Sequence, residues 1–509
     1  MSSLAKNTLF LTVGKLLGNS LYIVFGLVLP RFVDSDQVGV YTLLGTFGFF
    51  GSMLSSFGIP LIVTREVART PEQTTRIYAD ARMAMLMGGL FAGGLLFLYM
   101  FGESAYTGNE LGQLPILVTL VVAMILADAF GTLGEALFQG YERMAMPAVV
   151  EVLTGLLRAG GATVAMIVLP EEYRVMGIYS MFLFGSAVRG IILPRMVHKR
   201  LIPGMVIPKS SPAAAWGMIR RSGFVAVFRI LRMLRNRIDV LLMGFLWISL
   251  IPEVEGDVMS ARGLYGQAMR VAAIFLTFTM AFNTALFPRL SRLTGGEDAG
   301  SEKEATRNLY GRAVRWQAFW VVPLAAGIFF YVDTLCGWFG EKYVFGDPAN
   351  GVLYSTADVL KVLLIAMVVD CIGGPVGMLM IGVKELERRI PWVGVTILTS
   401  SVVCNVILIP RYGILGAAYA SAITAILEFV IKMWLVGGFF GNPMPILLRT
   451  LPYYALTAAM IGGLMLLDLQ GNVWLGVPLA GAFYAGTCLM LKQVDPAIVG
   501  MIKRKLGKA

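Results

Sequence analysis

Fourteen long apolar stretches, separated by short gaps that hold most of the charge, decide what this chain of 509 residues can fold into. They fall near 8–30, 38–60, 83–102, 114–137, 147–169, 175–194, 224–250, 266–288, 316–332, 359–382, 391–410, 412–431, 450–467 and 472–491. About 20 apolar residues wound as a helix cross the hydrocarbon core of a bilayer and satisfy their own backbone polar groups on the way. The expectation is therefore an all-α polytopic membrane protein of about 14 transmembrane helices. Charged residues make up 14% of the chain, against about 25% in soluble domains, and the mean hydropathy is +0.74. Those values exclude a water-soluble globule, a disordered chain and a disulfide scaffold. The longest gaps, near 195–223 and 289–315, are polar, basic and too short to fold alone.

The formal charge of +11 would point to nucleic acid in a soluble protein, but in a chain this apolar it sets orientation. With the N-terminus inside, the inner segments hold 28 Lys and Arg and the outer loops hold 5, namely Arg31, Arg174, Arg262, Lys342 and Arg411. Both termini are accordingly expected in the cytoplasm of a multi-pass cell-membrane protein, and no nucleic acid is expected as a partner. The first stretch is long, carries Lys15 and lacks a small-residue cleavage site after it, unlike a secretory signal. Cys336, Cys371, Cys404 and Cys488 fall in or beside spans without metal or redox spacing and read as small buried hydrophobes. His198 is the only histidine, and no GxxxxGK[ST] is present, so neither a metal, an ATP site nor any other cofactor is expected.

The stretches repeat. The second laid on the eighth pairs Gly39 with Gly263, Tyr41 with Tyr265 and Arg65 with Arg289. The fourth laid on the tenth pairs Asp128 with Asp370, Gly131 with Gly373, Leu137 with Leu379 and Gly140 with Gly382. Near the sixth and twelfth, Pro170 falls on Pro410, Gly177 on Gly416 and Arg189 on Glu428. Six helices repeated in the same orientation imply two parallel lobes about an axis along the membrane normal, with the default substrate cavity between them. The expected division is 1–222 for an N-lobe with its basic linker, 223–440 for a C-lobe, and 441–509 for two further helices and a basic tail.

Ionisable groups within a span are costly and face a bundle interior or water. The cations at depth are Lys15, Arg158, Arg189, Arg229, Arg232, Arg235, Arg237, Arg270 and Lys361; the acids are Asp128, Glu135, Glu151, Asp239, Asp370 and Glu428. The cationic surplus suits a substrate with phosphate or other acidic groups. Lys15 shares a helix face with Asn19 beside Gly14 and Gly18, and a lysine at that depth needs water or a counter-charge. Arg158 is the deepest cation, answered either by substrate or by Glu151 on its own helix. Arg229, Arg232 and Arg235 lie within about 120° of one helical face, which reads either as a basic ladder into the cavity or as cations snorkelling to lipid head groups. Arg270 and Lys361 near outer ends carry the same two readings. Asp239 reads as a structural partner for an arginine before it reads as a proton carrier. Asp128 and Asp370, at equivalent repeat positions, suit cation coupling, gating or hydrogen-bonding between helices, and Gly373-Gly374-Pro375 is expected to break the helix ladder beside Asp370, giving a hinge or an exposed carbonyl site.

Four runs carry a family resemblance: DQVGVYTLLGTFGFFGSMLSSFGIPLIVTREVAR at 36–69, then ALFQGYERM, GLYGQAMRVAAIFLTFTMAFNTALFPRLSRL and NVILIPRYGILGAAYASAI. They resemble the polysaccharide-export (O-antigen, oligosaccharide) flippases, which belong with MATE exporters and the lipid II flippase in the multidrug/oligosaccharidyl-lipid/polysaccharide (MOP) superfamily. The resemblance implies a MATE-like, two-lobed inner-membrane transporter, not an enzyme. It would move an undecaprenyl-pyrophosphate-linked oligosaccharide to the outer leaflet by alternating access, for cell-surface polysaccharide or exopolysaccharide synthesis. Arg270 matches an arginine that lies in the central cavity of lipid II flippases. On this reading Lys15, Arg158, Arg229, Arg232 and Arg270 bind substrate, and Asp128, Asp239 and Asp370 couple or gate. The expected partners are membrane lipids and the anionic prenyl-linked glycan, with a glycan polymerase or glycosyltransferases beside a monomeric flippase. A cation-coupled multidrug antiporter and a lipid II flippase are the alternatives. A membrane enzyme such as a glycan polymerase or ligase needs a sizeable outer loop, which the short outer gaps do not offer.

Overall fold

The computed structural model describes residues 21, 24–108, 111–204, 206–293, 299–382 and 389–491, and within these the side chains of all but 224–229, 232, 276–278, 280–293, 299–303, 378, 381–382 and 439–440. Among the described residues there is no strand, only an isolated bridge between Asp347 and Val352. The long helices of the first half are α1 (Ser35–Ser56), α2 (Ile59–Arg69), α3 (Thr74–Thr107), α4 (Leu114–Gly140), α5 (Ala145–Val168) and α6 (Arg174–Arg200). Then come α7 (Pro212–Arg235), α8 (Ile238–Leu246), α9 (Val258–Leu293) and α10 (Ala299–Phe330), followed by the short α11 (Val332–Gly337) and α12 (Lys342–Phe345). The chain closes with α13 (Thr356–Gly382), α14 (Ile390–Phe440), α15 (Met444–Leu448), α16 (Leu451–Leu466) and α17 (Val473–Met490).

Ten helical segments among the described residues are long and apolar enough to cross a membrane. They overlie the expected second to sixth and ninth to fourteenth stretches, with the eleventh and twelfth joined in one segment, Ile390–Gly438. The first stretch lies mostly outside the described residues. The expected seventh span, 224–250, is divided, because Arg237 leaves helical geometry (φ −143°) and separates α7 from α8. Local chemistry sets other boundaries: Ser211 caps α7 by accepting from the Ala214 N–H at 3.2 Å, ahead of Pro212 at the first helical position. At the far end of α3, Gly108 takes a left-handed turn (φ 73°) that stops the helix.

One expectation about breaks is corrected. The helix does not end at Gly373-Gly374-Pro375: α13 runs through Pro375, which withdraws one N–H from the Cys371 carbonyl without unwinding its neighbours. The sharp departure falls instead in α14 at Gly413 (φ 54°, ψ −133°), a geometry open to glycine alone among common residues.

The chain forms two compact units. The first runs to Arg270 and takes in Asp347–Leu353 and Gly394–Gly416; the second holds Val271–Gly346, Tyr354–Val393 and the chain from Ala417 onward. In the first, one apolar cluster gathers Phe25, Tyr41, Phe47, Val121, Tyr179 and Phe182, and another gathers Ile59, Val63, Tyr78, Met85, Leu133 and Val197. The ring of Tyr41 meets those of Phe25, Tyr179 and Phe182 at centroid distances of 5.8–6.3 Å, and the Tyr179 hydroxyl donates to the Tyr41 carbonyl at 2.9 Å. In the second, Tyr310, Val314, Val376, Leu379 and Val436 form the core, and Phe319 of α10 packs against Tyr453 of α16 and Tyr484 of α17.

Candidate functional site

Arg270 stands on α9 at the end of the first unit, half-buried. Its guanidinium donates to Gln267 Oε1 and to Thr42 Oγ1, each at 2.7 Å, and lies 4.8 Å from the centroid of the Tyr41 ring. Gln267 is on the same helix one turn away, whereas Tyr41 and Thr42 come from α1. Gly26 leaves room for the arginine stem, since a Cβ there would sit 3.2 Å from Arg270 Cδ. The result is a fixed, partly desolvated cation over an aromatic face, a geometry that strengthens its pull on an anion because little water competes.

A second polar site lies where α4, α5 and α6 meet. Arg158 Nη2 donates to Asp128 Oδ1 and to Ser186 Oγ, both at 2.5 Å. Arg189 Nη2 pairs with Glu135 Oε2 at 2.6 Å, its Nε with Glu151 Oε2 at 3.1 Å, and its Nη1 donates to Thr132 at 3.2 Å. Gln139 donates to Glu135 at 2.8 Å. Two glycines make room for these stems: a Cβ at Gly131 would lie 2.8 Å from Arg189 Cγ, and one at Gly185 2.5 Å from Arg158 Cγ. Of the two readings of Arg158, the pairing with Glu151 is not formed, for Glu151 turns to Arg189 and Arg158 takes Asp128. Seven residues of one helix are about 10 Å along its axis, so the neighbouring helices offer closer partners.

The remaining expected site residues are placed as follows. Asp239, on α8, is buried; its described partners are the Tyr265 hydroxyl, which donates to Oδ2, and the Val240 N–H at 2.8 Å. Arg229 and Arg232 lie on α7, with side chains outside the described set, and Lys15 lies outside the described residues. The next cations of that series are described: Arg235 Nε donates to Asn236 at 3.2 Å and Arg237 stands 5.9 Å from the Phe49 ring. In the second unit, Asp370 is half-buried on α13, Glu428 and Lys432 form an ion pair one turn apart on α14, and Lys361 reaches Asp333 at 3.3 Å near the surface. A cavity of about 430 Å³ in the first unit is lined by Tyr78, Val197, Ile202 and Ile207 with Arg195, His198 and Lys199.

One residue was placed wrongly by the loop count. Arg262, assigned to an outer loop, is fully buried, and its guanidinium pairs with Glu103 at 2.7 and 3.0 Å. The sequence signal was a carboxylate and a guanidinium at the outer ends of two spans, at matched depth, without any hint of burial.

Bilayer-length helices, with charged side chains paired between them among the described residues, define a multi-pass membrane protein. Residues 4–294 match the family model described as "Polysaccharide biosynthesis protein", more than half of the chain, and the chain belongs to that family. It is 23% identical to the probable flippase AglR of Haloferax volcanii over 369 residues, 72% of this chain and 68% of that one. It is 20% identical to the probable low-salt glycan biosynthesis flippase Agl15 of the same organism over 448 residues, 86% of this chain and 84% of that one. Its fold is similar to that of the lipid II flippase MurJ in an inward closed conformation, at TM-score 0.72 and 12% identity over 96% of this chain and 99% of the other. A MATE family transporter of the MOP superfamily in an inward-facing conformation follows at TM-score 0.63 and 14% identity, over 83% and 95%. The expected polysaccharide family and all-helical membrane fold are both borne out.

Proposed function

We infer that this protein is a flippase for a lipid-linked oligosaccharide, carrying a glycan on an anionic prenyl-pyrophosphate carrier across the cell membrane for surface polysaccharide assembly. The observation that carries the reading is Arg270, a preorganised cation held by Thr42, Gln267 and the Tyr41 ring in a chain of this family. A pyrophosphate makes charge-assisted hydrogen bonds with a guanidinium that already has its stem and ring packing fixed. The two flippase relatives favour this reading over a drug antiporter, since the solved MATE structures bear on fold alone. We place the protein in the cytoplasmic membrane with both termini inside, on the Lys and Arg bias of 28 to 5. Arg229, Arg232 and Lys15 are proposed to extend the cationic path, and Asp128, Asp239 and Asp370 to serve in coupling or gating. Arg158 joins them through its bond to Asp128. The protein acts without chemistry on the glycan, beside the glycosyltransferases or polymerase that make and use it.

The test is translocation in liposomes. Purified protein is expected to move a prenyl-pyrophosphate oligosaccharide between leaflets, and Arg270→Ala to lower the initial rate about tenfold, equivalent to roughly 1.4 kcal/mol. Arg270→Lys is expected to recover only part of it, because an ammonium lacks the planar fork. No translocation by the unaltered protein, or an unchanged rate in Arg270→Ala, overturns the assignment.

A further inference from the structure

The last turns of α6 read PRMVHKR from Pro194 to Arg200. Arg195, His198 and Lys199 recur at the three- and four-residue spacing that puts side chains on one helical face, while Leu193 and Val197 turn to the core. The chain then folds back. The Ile202 N–H donates to the Val197 carbonyl at 3.2 Å, and Ile202 is buried. Further along, Ser210 Oγ donates to Asp80 Oδ1 of α3 at 2.6 Å, which ties the linker ahead of α7 to that helix and brings Ile207 onto the same apolar cluster as Tyr78 and Val197. Between α3, the end of α6 and this linker lies the cavity of about 430 Å³.

Its lining divides by chemistry. Val197, Ile202 and Ile207 supply apolar surface, and the exposed Arg195, His198 and Lys199 supply positive charge and N–H donors. Among the described residues that line it none is acidic, and no side chain of those three enters a hydrogen bond or an ion pair. Asp80, two residues past Tyr78, is already engaged by Ser210. Tyr78 adds a separate signal. Its side chain lines the cavity and the residue is only 4% exposed, yet among the described residues its hydroxyl meets no hydrogen-bond partner. A buried donor of that kind costs free energy until an acceptor reaches it. Around the cavity the surface turns apolar, with Val206 of the linker and Trp216 of α7 exposed while Ala215 and Met218 enter the same cluster as Tyr78. An exposed tryptophan on a membrane protein sits at head-group level.

We propose that this cavity binds the head group of an anionic phospholipid, a resident lipid distinct from the one that is transported. The phosphate accepts from Arg195, Lys199 and the Tyr78 hydroxyl, His198 gives a further N–H, and the first carbons of the acyl chains lie against Ile202 and Ile207. Charge selects the sign of the ligand, because the cations carry no acid of their own. The apolar part of the lining selects a lipid over a free phosphate, and basic pockets between membrane helices at the cytoplasmic side suit such head groups. On the orientation proposed from the Lys and Arg bias, the leaflet that supplies it is the cytoplasmic one. A lipid seated there bridges α3, α6 and the linker, so the packing of this corner answers to the charge of the surrounding leaflet. The site is independent of the glycan reading, and its test needs neither translocation nor a known orientation.

The experiment titrates full-length protein in a neutral detergent with phosphatidylglycerol, phosphatidylcholine and inorganic phosphate in turn, counting bound lipid by native mass spectrometry. One phosphatidylglycerol is expected to stay bound under conditions that strip phosphatidylcholine. Arg195→Ala and Lys199→Ala are each expected to weaken it about fivefold, and Tyr78→Phe about threefold. Arg195 and Lys199 are exposed and Tyr78→Phe keeps the ring, so these variants retain the fold. Lys209→Ala removes an exposed cation of the same linker outside the cavity and is expected to change nothing. An equal loss in Lys209→Ala would reveal diffuse surface charge and overturn the site. Phosphatidylcholine held as firmly as phosphatidylglycerol overturns the anionic head group, and inorganic phosphate that displaces the lipid at equal concentration overturns the lipid. A polyprenyl phosphate that displaces phosphatidylglycerol well below equal concentration makes the cavity a station for the transported lipid and overturns the resident one.

Discussion

Arg189 shows how much rests on a single side chain. It is buried, and one guanidinium serves Glu135, Glu151 and Thr132, with Asp128 3.8 Å away. Taking the cation away leaves carboxylates in a low-dielectric setting without a counter-charge, an effect that outweighs the value of the pair itself. Arg189→Met is expected to destabilise the protein by about 3–5 kcal/mol, and Glu135→Gln by less, because a neutral amide still accepts from Arg189. Thermal melts in detergent check the order; a larger loss for Glu135→Gln would refute it. The sequence marked both arginines and all three acids as lying at depth, since charges are rare in these stretches. It could not pair them, because each pair is made across helices and spacing within one helix is the only distance a sequence supplies. Arg270 was marked by resemblance, whereas its bonds to Thr42 and the Tyr41 ring needed the fold.

Among elements, the helices were legible because hydrophobic length is written continuously along the chain, and their joints were not. Pro375 suggested a break where α13 runs on, while Gly413, one of 58 glycines, carries the departure in α14. A break depends on what replaces the lost hydrogen bond, and that is settled by neighbouring helices. The same holds for packing glycines. Gly190 of α6 lies against α4, where a Cβ would stand 2.5 Å from the Ala127 carbonyl oxygen, with backbone that cannot swing aside. Gly94 of α3 has nothing within 4 Å of the equivalent position. Gly190→Ala is expected to cost about 1–3 kcal/mol through displacement of two helices. Gly94→Ala is expected to be neutral or to gain up to about 1 kcal/mol from helix propensity. Equal melting temperatures for the two variants would show that the α4–α6 approach is looser than the backbone distance requires.

At the scale of the molecule, the +11 charge is not a property of one surface. On the proposed orientation it divides into an inner excess, a scatter of outer cations and a few charges held inside the bundle, and each part has a different cause. The inner excess governs insertion, because segments rich in Lys and Arg stay on the cytoplasmic side. The burial of Arg262 leaves that proposed bias intact, since one of the 5 cations counted as outer is a buried structural group. Orientation then has a direct check at two exposed positions: Thr107 at the end of α3, and Lys209 in the linker ahead of α7. With Cys336, Cys371, Cys404 and Cys488 replaced by alanine, Thr107→Cys is expected to react with an impermeant maleimide on intact cells. Lys209→Cys is expected to react only after the membrane is permeabilised. The reverse pattern would invert the proposed orientation and put the Arg262–Glu103 pair on the cytoplasmic side.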